Sequence, residues 1–264
     1  MPVMSEGQSF SFAPGGKSVG DSFYSEPGLN GAGEMLRNGE ITRCQPLPWG
    51  SNYVFIISLA KNGQSARAVY KPRSGEAPLW DFPEGTLYQR EYAAYLVSRT
   101  LNWHMIPPTI IREGPHGVGM LQWFVNARQM VEYGQLFENH IDEFRRIALF
   151  DWLTNNADRK VGHCLEDQDR RLWFIDHGLT FNVVPKLRTV VWEFSEQPVP
   201  DNLLSDLKML GRQLSDRSVL TAELAGLLAP EEILALKERL VMILSNPVFP
   251  SSFGSRRRYP WPPY

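Results

Sequence analysis

Residues 155–181 read NNADRKVGHCLEDQDRRLWFIDHGLTF, and the fold turns on this stretch. Upstream, Ile141, Phe144, Ile147, Ala148, Trp152 and Leu153 make one apolar stripe at helical spacing, so NNADRK is the loop leaving that helix. HCL and RLWFI are short β-rich runs joined by the polar turn Glu166–Arg170, which predicts a β-hairpin. His163 opens the first strand and Asp176 closes the second, so antiparallel pairing brings both to one end. Asp158, in the preceding loop, reaches that end as well. Asp176 follows the apolar run Leu172–Ile175, where a buried strand surfaces, a common place for a ligand or catalytic group. Taken singly, Asp158 is an ordinary Asx-turn residue and His163 a satisfied hydrogen-bonding histidine. Taken together with DHG after a strand, they point to a site.

Outward from this stretch the pattern changes once. From Gly39 to Val125 the chain reads as strands: ITRCQPLP, NYVFIISLA, ARAVYKP, PPTIIRE and GMLQWFV, bounded by Gly, Pro and Asn. One helix interrupts them, from about Thr86 to Asn102. From Glu138 onward the chain is mainly helical. Leu203, Leu207, Leu210 and Leu214 make a second stripe, and Pro230 opens a further helix as an N1 proline. The expected class is therefore α+β and bilobal, with a cleft between a β-rich N-lobe (34–125) and a helical C-lobe (126–250). Residues 1–33, rich in Gly, Ser and Pro, read as a flexible tail, and 251–264 as a basic, Pro/aromatic tail.

The strand ARAVYKP carries the second chemical feature. Val69 and Lys71 share one face, so a small apolar side chain can cover a flat ring while the lysine reaches its phosphates. On the following helix, Glu91 is placed to hold the Lys71 ammonium. A solvated edge-strand lysine is the plainer alternative. Gly50, Ser51 and Asn52 form a turn between two strands, where backbone N–H groups can cradle phosphate, although most such turns are only turns.

Composition narrows the partners. The chain has 264 residues, 43% apolar and 21% charged, and a net charge of −2, so no general attraction to nucleic acid is expected. Two cysteines, Cys44 and Cys164, make no disulfide framework and no zinc pattern, which fits a reducing, cytoplasmic compartment. No secretory signal is visible at the N-terminus, and the longest apolar run, Tyr53–Ala60, is far below a membrane helix, leaving only peripheral membrane contact open.

In this order the features resemble the phosphatidylinositol 3-/4-kinase-like family within the protein-kinase-like fold, in particular the type II phosphatidylinositol 4-kinases and the short bacterial proteins grouped with them. The resemblance spans Gly50 to Phe181. GSNYVF and AVYKP look like its phosphate turn and lysine strand, REYAAYLV and IPPTII like its glutamate helix and next strand, and MLQWFVNA like its hinge. NNADRKVGHCL and FIDHGLTF look like its Asn-x-Asp-Arg catalytic loop and Ile-Asp-x-Gly-Leu metal motif. The resemblance implies an ATP-dependent phosphotransferase with ATP and Mg²⁺ or Mn²⁺ as cofactors. Lys71 would contact phosphates and Glu91 would pair with it. Phe124 and Val125 would offer hinge backbone groups to adenine beneath Val69. Asp158 would take the acceptor's proton, and Asp176 would hold the metal. His163 stands where the family usually has asparagine, as a metal ligand favouring manganese or as a phosphate contact.

The acceptor is left open among a lipid headgroup, a protein and a small hydroxyl compound. The segment LTFNVVPKLRTVVWEF lies where such kinases place an acceptor-selecting loop, with Lys186, Arg188 and Trp192 as its notable side chains. Two other readings stand beside this one. A metal-dependent phosphohydrolase would use Asp158, His163, Asp176 and His177. A nucleotide-binding pseudokinase would act as a scaffold.

Overall fold

A computed structural model describes residues 29–47, 52–129, 131–215, 217–251 and 258–264. Five strands, β1 (Glu40–Leu47), β2 (Val54–Lys61), β3 (Gln64–Pro72), β4 (Thr109–Gly114) and β5 (Gly117–Trp123), form one antiparallel sheet in the order β1-β2-β3-β5-β4. Each lies where the alternating pattern places a strand. The β3 side chains divide by parity. Ala66, Ala68 and Tyr70 are buried against Ile57, Leu59 and Leu121, under Met35 and Leu36 of helix α1 (Leu29–Asn38). Val69 and Lys71 point the other way, as strand geometry requires. Gly119 lets β5 close on this end of β3: a Cβ there would lie 2.5 Å from the Lys71 carbonyl oxygen.

Between β3 and β4 the chain forms α2 (Leu87–Thr100). Its N-terminus has no cap from its own Thr86; instead the Glu76 carboxylate accepts from the Leu87 N–H at 3.0 Å and the Tyr88 N–H at 2.7 Å. A carboxylate on the first free amides satisfies two orphan donors and suits the helix dipole. Ala93, Ala94, Leu96 and Val97 of α2 belong to the same core as Phe144, Ile147, Phe150 and Leu153 of α4 (Ile141–Thr154), so α2 joins the sheet half to the helical half.

The helical half contains α3 (Tyr133–Asn139), α4, α5 (Asp201–Gln213), α6 (Val219–Ala225) and α7 (Pro230–Ser245), the last with Pro230 in its first turn. Between α4 and α5 lies the expected hairpin, β6 (Cys164–Glu166) and β7 (Leu172–Phe174), with Cys164 opposite Phe174. The class is α+β and bilobal, with an antiparallel N-terminal half and a helical C-terminal half. Among the described residues, no helix is long and apolar enough to cross a membrane.

Two stretches depart from the tails expected at the ends. Helix α1 starts at Leu29, inside the segment read as flexible, because burial of Ala32, Met35 and Leu36 on the sheet outweighs the poor propensity of its glycines. Residues 1–28 lie outside the described residues. At the other end, the Val161 N–H donates to the Pro263 carbonyl at 3.0 Å and the Thr189 N–H to the Arg258 carbonyl at 3.1 Å. Residues 258–264 are therefore seated on the loop after Asp158 instead of trailing in solvent.

Candidate active site

Lys71 on β3 reaches across to two carboxylates. Its Nζ lies 2.5 Å from Glu91 Oε1 and 2.9 Å from Asp176 Oδ1. Burial pulls the Lys71 ammonium down, but Asp176 and Glu91 more than offset this and hold its pKa above the ordinary value. Glu91, almost fully buried, uses its second oxygen to accept from the His177 N–H at 2.9 Å. Asp176 is 44% exposed at its side chain, so neighbouring charge decides its state. Against the effect of burial, Lys71 and then His163 keep the carboxyl well below the usual range.

The backbone at Asp176 is left-handed, with φ +60°. A non-glycine residue stays there only where its surroundings over-determine it. Both flanking peptides are pinned: Arg159 Nη1 donates to the Ile175 carbonyl at 2.8 Å, and Glu91 holds the His177 N–H. This turn aims the Asp176 carboxylate back at Lys71.

Arg159 also organises the loop that carries Asp158. Fully buried, it donates to both oxygens of Asp151 on α4, from Nε at 2.9 Å and Nη2 at 3.0 Å, and from Nη2 to His177 Nε2 at 2.7 Å. Asn156 adds its side-chain amide on Asp151 Oδ1 at 2.8 Å. Its own Oδ1 accepts the Asp158 N–H at 3.0 Å, so the Asx turn here is made by the Asn156 side chain and not by Asp158. The Asp158 carboxyl sits 3.1 Å from Lys160 Nζ, and burial pushes it above the ordinary aspartate value despite that lysine. A raised pKa makes it a better proton acceptor.

His163 lies where the hairpin argument places it, with Nε2 3.2 Å from Asp176 Oδ2. Its Nδ1 receives the Lys160 N–H at 3.4 Å, so in this arrangement Nε2 carries the proton. Burial lowers its pKa to about 4 in spite of Asp176. This environment favours the neutral imidazole at pH 7. In the unfolded chain the group binds a proton near pH 6.5, so its share of folding stability is complete above that value. It is lost as pH falls from about 6.5 towards 4, by up to about 3 kcal/mol. Urea titrations at pH 7 and pH 4.5 should show His163→Asn losing less stability than the wild type across that step; equal losses would contradict a buried neutral imidazole.

The residues expected to face a nucleotide are placed unevenly. Val69 shares the Lys71 face and pairs with Gln122 of β5. The Phe124 N–H donates to the Arg67 carbonyl at 3.1 Å, so that hinge donor is taken. Among the described residues no hydrogen bond engages the Val125 N–H. Asn52 Oδ1 accepts the Ala77 N–H at 2.8 Å, which gives it a structural duty in its turn. Gly50 and Ser51 lie outside the described residues.

His177 does not join a metal cluster. It is fully buried, its Nε2 faces Arg159, and among the described residues no three metal-ligating side chains converge. The four-residue phosphohydrolase centre is therefore not assembled. Asp151, Arg159 and Glu76 carry positioning duties that the sequence alone did not single out. The Asp158–Arg159 dipeptide was visible, but its partner lies eight residues back, on a helix whose periodicity marks only its apolar face.

After Asp176 the chain is laced to the loop that carries Asp158. Asn155 Nδ2 donates to the Asn182 and Val184 carbonyls at 2.8 and 2.7 Å, and its Oδ1 accepts the Lys186 N–H at 2.7 Å. The Arg188 N–H donates to the Asn156 carbonyl and its carbonyl accepts the Arg159 N–H. Lys186 pairs with Asp81 at 2.6 Å and lies over the Trp80 ring. Trp192 is half-buried, edge-on to Tyr259.

No family model matches the chain. Protein Rv2133c of Mycobacterium tuberculosis (strain ATCC 25618 / H37Rv) is 38% identical over a 265-residue alignment that covers 87% of this chain and 94% of that protein. The chain belongs to the Rv2133c family. Among solved structures, the chain is similar to a Golgi casein kinase with Mn/ADP bound, at 15% identity and TM-score 0.49 over 82% of this chain and 74% of that one. It is also similar to the Helicobacter pylori proinflammatory kinase CtkA, at 13% identity and TM-score 0.48 over 79% of this chain and 94% of that one.

Proposed function

We propose that the protein is an ATP-dependent phosphotransferase that moves the γ-phosphoryl group to a hydroxyl acceptor, of the phosphatidylinositol 3-/4-kinase-like type. The observation that carries this reading is Lys71 held between Glu91 and Asp176, with Asp158 close enough to feel the Asp176 charge. A hydrolase does not need a buried glutamate to aim a strand lysine. Phosphoryl transfer in kinase-type sites uses such a pair, because it depends on positioning and on neutralising phosphate charge.

In this reading adenine lies under Val69 and is met by the Val125 backbone. Lys71 donates to phosphate oxygens. Asp158 accepts the acceptor's hydroxyl proton as the acceptor oxygen bonds to the γ-phosphorus and the bond from that phosphorus to ADP breaks. Asp176 Oδ2 and His163 Nε2, 3.2 Å apart, would hold a divalent ion as one carboxylate and one imidazole ligand, with phosphate and water oxygens completing its shell. Such an ion, when bound, neutralises charge on the transferred group. To ligate it, the imidazole shifts its proton to Nδ1 and gives up the long 3.4 Å contact from Lys160, a small loss. A nitrogen ligand in place of the family's asparagine oxygen favours manganese.

Two labels test the reaction. With purified protein and cell extract, γ-labelled ATP should mark an acceptor while α-labelled ATP should not; transfer of the α label would replace phosphoryl with adenylyl transfer. Lys71→Ala should weaken ATP binding by about 1.5–3 kcal/mol, the worth of a charged phosphate contact, as read by calorimetry. Unchanged affinity in the folded variant would remove Lys71 from the nucleotide site.

A further inference from the structure

Arg90 stands beside Glu91 on α2 and makes no contact with Lys71, Asp158 or Asp176. It is 1% exposed, one of the largest fully buried side chains among the described residues. All three guanidinium nitrogens are engaged. Nη2 pairs with Glu232 Oε1 in the first turn of α7 at 2.5 Å, Nη1 donates to the Thr180 carbonyl at 2.8 Å, and Nε to Thr86 Oγ1 at 3.3 Å. The other Glu232 oxygen accepts the Ala229 N–H at 3.0 Å, so that carboxylate is itself tied to the start of α7. Phe82 packs on the guanidinium, its ring centroid 5.0 Å from Arg90 Cζ. Apolar side chains of the same volume hold two helices together at least as well as a buried ion pair. What the pair adds here is a defined direction.

That direction bears on Glu91. Thr180 Oγ1 donates to the His177 carbonyl at 2.7 Å, and the His177 N–H donates to Glu91 Oε2 at 2.9 Å. Two consecutive residues of α2 therefore grip the two ends of the turn 177–180, directly after Asp176. Successive side chains on a helix leave its axis about 100° apart, so Arg90 and Glu91 anchor α2 on different sides. Turning α2 about its axis to swing Glu91 away from Lys71 would pull Arg90 out of its buried pair. Lys71 by itself does not resist that turn, because its flexible four-carbon stem can follow the carboxylate.

We propose that Arg90 is a positioning residue: by tying α2 to Glu232 of α7 and to the Thr180 carbonyl, it sets the rotation of α2 that carries Glu91 to Lys71 and to the His177 N–H. It acts through Glu91 and touches no reacting group. Only the consequence for nucleotide binding rests on the phosphotransferase reading; the coupling of Arg90 to Glu91 does not.

The experiment uses the full chain as Arg90→Met, Glu91→Ala, the double variant and Leu210→Ala, the last a cavity in the helical core that controls for lost stability alone. Two quantities are read well below every melting temperature: hydrogen exchange of the His177 amide by NMR without nucleotide, and ATP affinity with Mn²⁺ by calorimetry. Exchange at His177 should rise about tenfold or more in Arg90→Met and in Glu91→Ala, and stay at the wild-type rate in Leu210→Ala. ATP affinity should fall about tenfold in each of the two single variants and no further in the double variant, because residues acting through one contact are not additive. If Arg90→Met does not fold, Arg90→Lys is read the same way, since one ammonium pairs with Glu232 but cannot also reach Thr86 and the Thr180 carbonyl. Wild-type exchange at His177 in the Arg90 variant, an equal rise in Leu210→Ala, or affinity losses that multiply in the double variant overturns the positioning role. A wild type that binds no ATP, with His177 exchange still raised by Arg90→Met alone and by Glu91→Ala, overturns the phosphotransferase reading and leaves the coupling of Arg90 to Glu91 standing.

Discussion

Asp158→Asn is expected to lower turnover by about 10²–10⁴-fold while leaving ATP affinity near that of the wild type, because it removes a proton acceptor and keeps the side chain's shape. The loop around it should not collapse. Its geometry is carried by Asn156 and Arg159, and Asp158 contributes only its backbone N–H to the Asx turn. Asp176→Asn should behave differently. It replaces an anion held beside Lys71 and His163, so it should damage metal-dependent nucleotide binding itself. Single-turnover rates and calorimetry on both variants check the division. Equal binding defects in the two would show that Asp158 belongs to the binding machinery.

The largest loss of stability is expected at Arg159. Arg159→Met leaves Asp151 fully buried with its ion partner gone, and breaking a buried pair from one side costs about 3–5 kcal/mol. For a chain of this size that lowers Tm by roughly 10 °C, and differential scanning calorimetry reads it directly. The same substitution frees the Ile175 carbonyl and the His177 imidazole, so the left-handed turn at Asp176 loses its support on one side. Nucleotide affinity should therefore fall together with stability, although Arg159 lies behind the site. A variant that melts early but binds ATP with wild-type affinity at low temperature would show that the turn holds without it.

Much of this was readable from the chain because it depends on neighbours in sequence. Alternation in ARAVYKP puts Val69 and Lys71 on one face whatever the strand pairs with, and the helix from Leu87 carries Glu91 at a reachable position. The hairpin register, with Cys164 opposite Phe174, brings His163 to Asp176 through local pairing alone. These periods of two and 3.6 are properties of the backbone, so they survive ignorance of the rest of the molecule.

Other features were decided only by tertiary structure, each because its partners are distant in sequence and carry no periodic mark. Glu76 caps α2 from eleven residues upstream of Leu87. The glycine-containing segment from Leu29 becomes a helix because the sheet offers Ala32, Met35 and Leu36 a place to bury. The Phe124 N–H is consumed by Arg67, and residues 258–264 come to rest on Val161 and Thr189. Arg239 and Trp192 stand forty-seven positions apart yet line one cavity. Local chemistry determined which residues could serve the proposed phosphoryl transfer and roughly where they meet. Long-range packing determined which of their hydrogen bonds are already spent, because that depends on every group brought within 3 Å by the fold, and no window of sequence contains them all.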